Sequence, residues 1–144
     1  MNGVRFPLEV HFVHQNSAGG LAVFGILYPF SDDHGVEPNA FLKTWWDYIF
    51  TEHAMTLDYP IELGAMIDDV AGNALYRYNG SLTTPPCSEG VKWHVAVSKQ
   101  GVSKAQVYSY KFALETVQNY RDVQPLHGRK PTNQTLSLPS STAI

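Results

Sequence analysis

The sequence has a single cysteine, Cys87, so no disulfide can close within the chain. A lone thiol of this kind is either a buried, inert group or one half of a bridge to a partner elsewhere. No apolar run approaches the roughly 20 residues needed to cross a bilayer, so no membrane span is expected. The first residues, MNGVRFPLEVHF, lack a cationic head followed by an apolar stretch, so no signal peptide is expected. A basic excess is also missing. Lys and Arg number 10 against 13 Asp and Glu, giving a net charge of −3, which provides no footprint for nucleic acid or an acidic membrane. What the chain does have is 144 residues, 44% of them hydrophobic and 16% charged. That suffices for one domain with a core of its own and excludes wholesale disorder. No repeat of fixed period and no linker interrupts it.

The apolar pattern predicts a β-rich chain with one or two surface helices. Leu8–His14 and Leu21–Tyr28 read as strands, and Asn16-Ser-Ala-Gly-Gly20 between them has turn chemistry, so the two form a hairpin. Ser31–Asn39 reads as a loop. Beyond it Phe41, Leu42, Trp45, Trp46, Ile49 and Phe50 fall at helical spacing, with Asn39 as the N-cap. Thr56–Asn73, with the acidic pair Asp68 and Asp69, has room for a short helical turn. Leu75–Tyr78 reads as a strand running into a turn at Asn79-Gly80. Val91–Val97 reads as a strand with Val91, Trp93, Val95 and Val97 on one face. Ser103 caps a helix over Lys104–Lys111, and Asn119–Arg129 is irregular. Residues 131–144, rich in Ser, Thr, Pro and Asn, are expected to be a disordered tail, with residues 1–130 forming the folded unit.

Two segments carry chemistry. The first is Leu8-Glu-Val-His-Phe-Val-His14. Strand alternation puts Glu9, His11 and Val13 on one face and Leu8, Val10, Phe12 and His14 on the other. His11 and His14 would chelate together on a helix; on a strand only one of them can join a given metal site. Glu9 beside His11 fits a carboxylate that fixes the tautomer of a ligating imidazole. It also fits a Glu–His pair on a solvated sheet face, the commoner case when spacing alone is considered. His14, among apolar neighbours, is expected to be a hydrogen-bonded core histidine.

The second segment is Asn79-Gly-Ser-Leu-Thr-Thr-Pro-Pro-Cys87. Pro85-Pro86 predicts an extended, rigid path with Thr84 outside helical geometry. A threonine hydroxyl on such a loop can orient a small polar ligand, and its N–H can point at a developing anion. The plainer alternative is a capped surface turn. Asn79-Gly-Ser81 and Asn133-Gln-Thr135 also match the glycosylation acceptor pattern, the latter in the expected tail.

Taken in order, four blocks resemble the α-class carbonic anhydrases: Leu8-Glu-Val-His-Phe-Val-His-Gln-Asn16, Gly20-Leu-Ala-Val-Phe-Gly25, Tyr78-Asn-Gly-Ser-Leu-Thr-Thr-Pro-Pro-Cys-Ser-Glu-Gly-Val-Lys-Trp93 and Asn119-Tyr-Arg-Asp-Val-Gln-Pro-Leu126. The resemblance covers about Arg5 to Arg129. It implies part of a large, twisted, mostly antiparallel sheet with peripheral helices and an active site in a conical cleft. It implies a Zn2+ held by three histidines, of which His11 resembles the third, with Glu9 as its orienting carboxylate. Thr83 resembles the threonine that orients the hydroxide attacking carbon dioxide, and Thr84 the neighbour that contacts bicarbonate. Val13, Leu21, Val23, Leu82, Val91 and Trp93 resemble the apolar wall where carbon dioxide rests.

The family's first two ligands form a His-x-His pair on the preceding strand. No such pair occurs here, the histidines being 11, 14, 34, 53, 94 and 127. The proton-shuttle histidine and the glutamate partner of the threonine also precede this region in the family. The chain is therefore expected to be the C-terminal portion of a carbonic anhydrase, with one of three zinc ligands and little activity alone. Its missing N-terminal portion would be the natural partner. By the same resemblance Cys87 would bridge to a cysteine in that portion, which points to an extracellular or periplasmic protein. The alternative function is a carbonic-anhydrase-related binding or matrix protein that keeps the fold without the metal.

Overall fold

In a computed structural model the structure describes residues 1, 3–31, 38–46, 48, 60–115 and 118–137. Five strands and three helices are formed by these residues: β1 (Leu8–Gln15), β2 (Leu21–Tyr28), α1 (Ala40–Trp46), α2 (Leu63–Val70), β3 (Ala74–Ser81), β4 (Glu89–Val97), α3 (Lys104–Ala113) and β5 (Thr132–Thr135). The strands form one sheet in the order β1-β2-β4-β3-β5. β2 and β4 run parallel and the other three pairings are antiparallel. This is the mostly antiparallel sheet with peripheral helices that the sequence implies.

The β1–β2 hairpin closes on Asn16, whose Oδ1 accepts from the N–H of Ala18 at 3.1 Å and of Gly20 at 2.7 Å. An asparagine side chain that satisfies turn amides in this way fixes the loop, and so the register of both strands. In that register His11 faces Gly25 and Val13 faces Val23. The β2–β4 pairing sets Val23 beside Trp93, and the β3–β4 pairing sets Tyr78 beside Trp93. Cross-strand neighbours share a face. One face of the sheet therefore gathers Glu9, His11, Val13, Leu21, Val23, Gly25, Val91, Trp93 and Tyr78.

The other face holds the main core. Leu8, Ile26, Tyr28, Leu75 and Ala96 pack there against Phe41, Leu42 and Trp46 of α1, Met66 and Val70 of α2, and Val107 of α3. Both caps read from the sequence are present. Asn39 Oδ1 accepts from the Leu42 N–H at 3.0 Å, and Ser103 forms a capping box with Gln106. The Gln106 side chain also accepts from the Asn39 N–H at 2.8 Å, tying the starts of α1 and α3 together.

Several expectations are corrected. Three helices form where one or two were expected: the short turn allowed for within Thr56–Asn73 is the full helix α2, because Met66, Asp69 and Val70 give Leu63–Val70 a buried face. Asn79-Gly80 is not a turn: both residues lie in β3, paired with Lys92 and Val91. A Cβ on Gly80 would sit 3.1 Å from ring atoms of Trp93 and Tyr78, so this glycine admits a close ring contact and does not serve a reversal. The chain reverses instead at Thr84–Cys87, where Pro85–Pro86 is cis and the Cys87 N–H donates to the Thr84 carbonyl at 2.9 Å. The two prolines thus make a tight turn and not an extended path. The tail expected over 131–144 begins as ordered structure. Thr132–Thr135 is β5, hydrogen-bonded to β3, because the ladder satisfies backbone groups that polar side chains leave available. Residues 32–37 of the expected Ser31–Asn39 loop, Ile49 and Phe50 of the expected helix, His34, His53 and residues 138–144 lie outside the described residues.

Candidate active site

The site grows from the sheet face that carries His11. Glu9 and His11 lie two residues apart on β1, so both project from the same side. His11 Nε2 and Glu9 Oε1 are 2.7 Å apart. An ionised carboxylate only accepts, so Nε2 carries a proton, and in the neutral ring that leaves the lone pair on Nδ1. That tautomer suits a metal ligand whose second nitrogen is oriented by a carboxylate. The ring packs edge-on against Trp93, with centroids 4.8 Å apart and planes at 78°. Gly25 leaves room beside this contact. It lies on β2, between the strands that carry the two rings, and a Cβ there would stand 3.4 Å from Trp93 Cζ3 and 3.6 Å from His11 Cδ2.

Around the ring, Val23, Leu27, Val91, Trp93 and Val95 form a second apolar cluster, with Leu21, Leu82, Tyr78, Met1 and Phe6 packed against it. Five of the six expected wall residues, Leu21, Val23, Leu82, Val91 and Trp93, therefore meet in one cluster. The sixth, Val13, shares their face but is 58% exposed at the end of the hairpin. Tyr78 stacks on Trp93 at 6.1 Å and 4°. Burial, then the negative charge of Glu9, pushes its phenol pKa up.

Thr83 and Thr84 are exposed on the loop joining β3 to β4. The base of that loop is fixed. The Leu82 N–H donates to the Ser88 carbonyl at 2.9 Å, and Trp93 Nε1 donates to the Ser81 carbonyl at 2.9 Å. Arg121 adds a hold that residue-by-residue reasoning missed. Its guanidinium donates to Ser81 Oγ at 2.7 Å and to the Leu82 carbonyl at 3.3 Å. The only sequence signal for it was its place in the Asn119-Tyr-Arg-Asp block.

His14 is not a core histidine. It is exposed, with Nδ1 3.1 Å from the Phe12 carbonyl, because the apolar packing beneath β1 ends before its C-terminal residues. Cys87 is free and half-buried. Among the described residues no group of three or more His, Cys, Asp or Glu side chains comes together to hold a metal. The donor set fits one arm of a zinc site, a neutral imidazole with its orienting carboxylate, and falls short of the three protein ligands a catalytic zinc takes. No helix among the described residues is long and apolar enough to cross a membrane.

Fold and site thus define a sheet-based protein with one oriented imidazole on an apolar bed, and the comparisons say which family builds it. The family model for eukaryotic-type carbonic anhydrase matches residues 1–134. The chain belongs to that family. It is 34% identical over 131 residues to a carbonic anhydrase of Pectobacterium atrosepticum, covering 90% of this chain and 50% of the relative. Among solved structures it resembles the α-carbonic anhydrase of Thermovibrio ammonificans in complex with the inhibitor sulfanilamide. That match has a TM-score of 0.73 and 32% identity, over 90% of this chain and 55% of that one. It also resembles dioscorin complexed with ascorbate, with a TM-score of 0.69 and 30% identity, over 97% of this chain and 58% of that one. The chain spans about half the length of the curated relatives it matches.

Proposed function

We propose that these residues belong to a zinc-dependent enzyme that reversibly hydrates carbon dioxide to bicarbonate, with the remaining zinc ligands supplied by sequence beyond this chain. The observation that carries the reading is the 2.7 Å Glu9–His11 contact on the face that also gathers Leu21, Val23, Leu82, Val91 and Trp93. His11 would hold the metal through Nδ1, while Glu9 keeps the other nitrogen protonated and the ring in place. When bound, zinc supplies a water acidic enough to give hydroxide near neutral pH. The apolar cluster gives uncharged carbon dioxide a bed from which water is excluded. Val13 extends that bed toward solvent. The Thr83 hydroxyl orients the nucleophilic oxygen, and Thr84 holds the bicarbonate product. Arg121 acts through the loop base and is a positioning residue.

The test is carbon dioxide hydration by a longer protein containing these residues, loaded with zinc. Thr83→Ala is expected to lower kcat/KM by about 100-fold, the loss typical of one positioned polar group. The 144-residue chain alone is expected to bind zinc weakly and hydrate carbon dioxide negligibly. Turnover at an enzyme's rate by the chain alone, or none by the zinc-loaded longer protein, would overturn the reading.

A second reading, a family member that keeps the fold to bind other molecules, draws support from the likeness to dioscorin, which was solved with ascorbate. Retention of both Glu9 and His11 in contact favours the enzyme. An extracellular or periplasmic home, with Cys87 bridged to a cysteine beyond this chain, goes with the enzyme reading. A mass gain of two hydrogens on reduction of the longer protein, mapped to Cys87 and a second cysteine, would check it.

A further inference from the structure

A second concave site lies away from the β1 edge, where β3, β4 and the start of β5 meet. It has a volume of about 410 Å³ and is lined by Arg77, Asn79, Lys92, His94, Arg129 and Lys130, among others. Arg77 faces His94 across the β3–β4 ladder and Asn79 faces Lys92. By strand alternation these four side chains project from the face opposite His11.

The charge arrangement is the unusual feature. Four cationic side chains surround one depression in a chain whose net charge is −3. No Asp or Glu lines it. Arg77 and Lys92 are diagonal neighbours on adjacent strands, a placement that puts like charges within roughly 7–8 Å and costs stability. The ion pairs among the described residues, Arg5–Asp122 and His11–Glu9, involve none of the four.

Arg129 is held by its own backbone contacts. It donates from Nε to the Leu126 carbonyl at 2.9 Å, and from its terminal nitrogens to the carbonyls of Asn79 at 2.9 Å and Pro125 at 2.8 Å. Carbonyl partners fix the guanidinium but leave its charge uncompensated. His94 is half-buried at the same place. Burial first, then the positive charge of Arg77, holds its pKa below the usual imidazole range. A neutral imidazole can still donate one hydrogen bond to an anion.

We propose that this depression binds a small, multiply charged oxyanion of the phosphate or sulfate class. Arg77, Lys92, Arg129 and Lys130 supply the charge and His94 and Asn79 supply neutral hydrogen bonds. The four cationic residues are confined to one open depression of a chain that is acidic overall, which suits a small anion and not a nucleic acid. Tyr78 and Trp93 line it as well as the His11 site, but the two share no charged residue, so the anion's charge partners are separate from those of the carbon dioxide reading.

The test is calorimetric titration of the metal-free 144-residue chain with pyrophosphate, and separately with inorganic phosphate, at low and at moderate sodium chloride. Saturable 1:1 binding is expected, tighter for pyrophosphate and weakened by salt. Arg77→Gln with Lys92→Gln should weaken it at least tenfold, and His11→Ala should leave it unchanged. Arg77 and Lys92 are exposed, so the double variant keeps the strand pattern, and circular dichroism verifies that it folds. As a second readout, the NMR-monitored pKa of His94 should move upward when pyrophosphate is bound. No saturable binding at low salt, equal affinity in the double variant, or loss of binding in His11→Ala would each overturn the assignment.

Discussion

At the scale of single residues, the proposed zinc reading of the His11 face rests on three positions. Glu9 sets the tautomer, Gly25 gives the rings room, and His11 supplies the nitrogen. Glu9→Gln replaces an acceptor-only group with one that can donate, so it no longer enforces a protonated Nε2. Zinc affinity of the longer protein is expected to fall 10- to 100-fold, measured by competition with a chromophoric chelator. At Gly25 the available distances of 3.4 and 3.6 Å are ordinary contacts for a methyl group, so Gly25→Ala should fold and bind zinc. Gly25→Leu would drive a larger group between His11 and Trp93, and zinc affinity should fall with it. Equal affinity in both variants would show that the ring contact plays no part. Tyr28 makes a different point. It is fully buried and its hydroxyl has no hydrogen-bond partner among the described residues. Burial, and then Asp69, raises its phenol pKa. A raised phenol pKa means that the fold prefers the neutral form. That contribution is complete below the unfolded value of about 10 and is lost as pH climbs above it. Tyr28→Phe should therefore be neutral or stabilising by about 1 kcal/mol near pH 7 and should flatten the alkaline loss, both read from urea unfolding at several pH values.

At the scale of elements, local sequence signals carried far where the signal was itself local. Asn39 and Ser103 predicted their caps because a cap needs only a side-chain oxygen three residues before an amide. Leu8–Gln15 and Leu21–Tyr28 were legible because alternation and turn chemistry agreed. Gly80 and the Pro85–Pro86 pair were misread because their conformations depend on what lies across the sheet. The ring of Trp93, 13 residues away in sequence, needs the space that Gly80 leaves. β5 was invisible for the same reason. All four of its residues are exposed and polar, and it is held by pairing with β3 and by Leu136, which follows it and packs on the main core. Within the site, Glu9 and His11 were legible from alternation, whereas the exposure of His14 and the role of Arg121 depend on tertiary packing. The caps and the loop contacts also have measurable weight. Ser103→Ala removes a buried capping box and should cost about 1 kcal/mol in urea unfolding. Gly101→Ala should cost more, about 3 kcal/mol, because its Cβ would fall 2.2 Å from backbone atoms of Ser31, which cannot move aside as a side chain can.

At the scale of the whole molecule, the sheet has two unequal sides. One is covered by three helices where Leu8, Ile26, Tyr28, Leu75 and Ala96 form the main core, and open where Arg77 and Lys92 project. The other presents His11 and a half-open apolar cluster beside β1, the strand at the end of the sheet order. An edge strand with free backbone groups next to apolar surface favours association. The 144-residue chain is expected to sediment above its 16.0 kDa monomer mass, and a sharp monomer boundary with cooperative melting would contradict this. The proposed anion depression lies on β3 and β4, and its charged lining residues are separate from Glu9 and His11. The central claim is that His11 is a zinc ligand through the nitrogen that Glu9 leaves unprotonated. The most direct measurement is 15N NMR of the His11 ring in the longer protein, with and without zinc. The account predicts a protonated Nε2 in both states and a large shift of Nδ1 alone when zinc is added. A His11 ring whose Nδ1 stays unchanged while the protein binds zinc would contradict it.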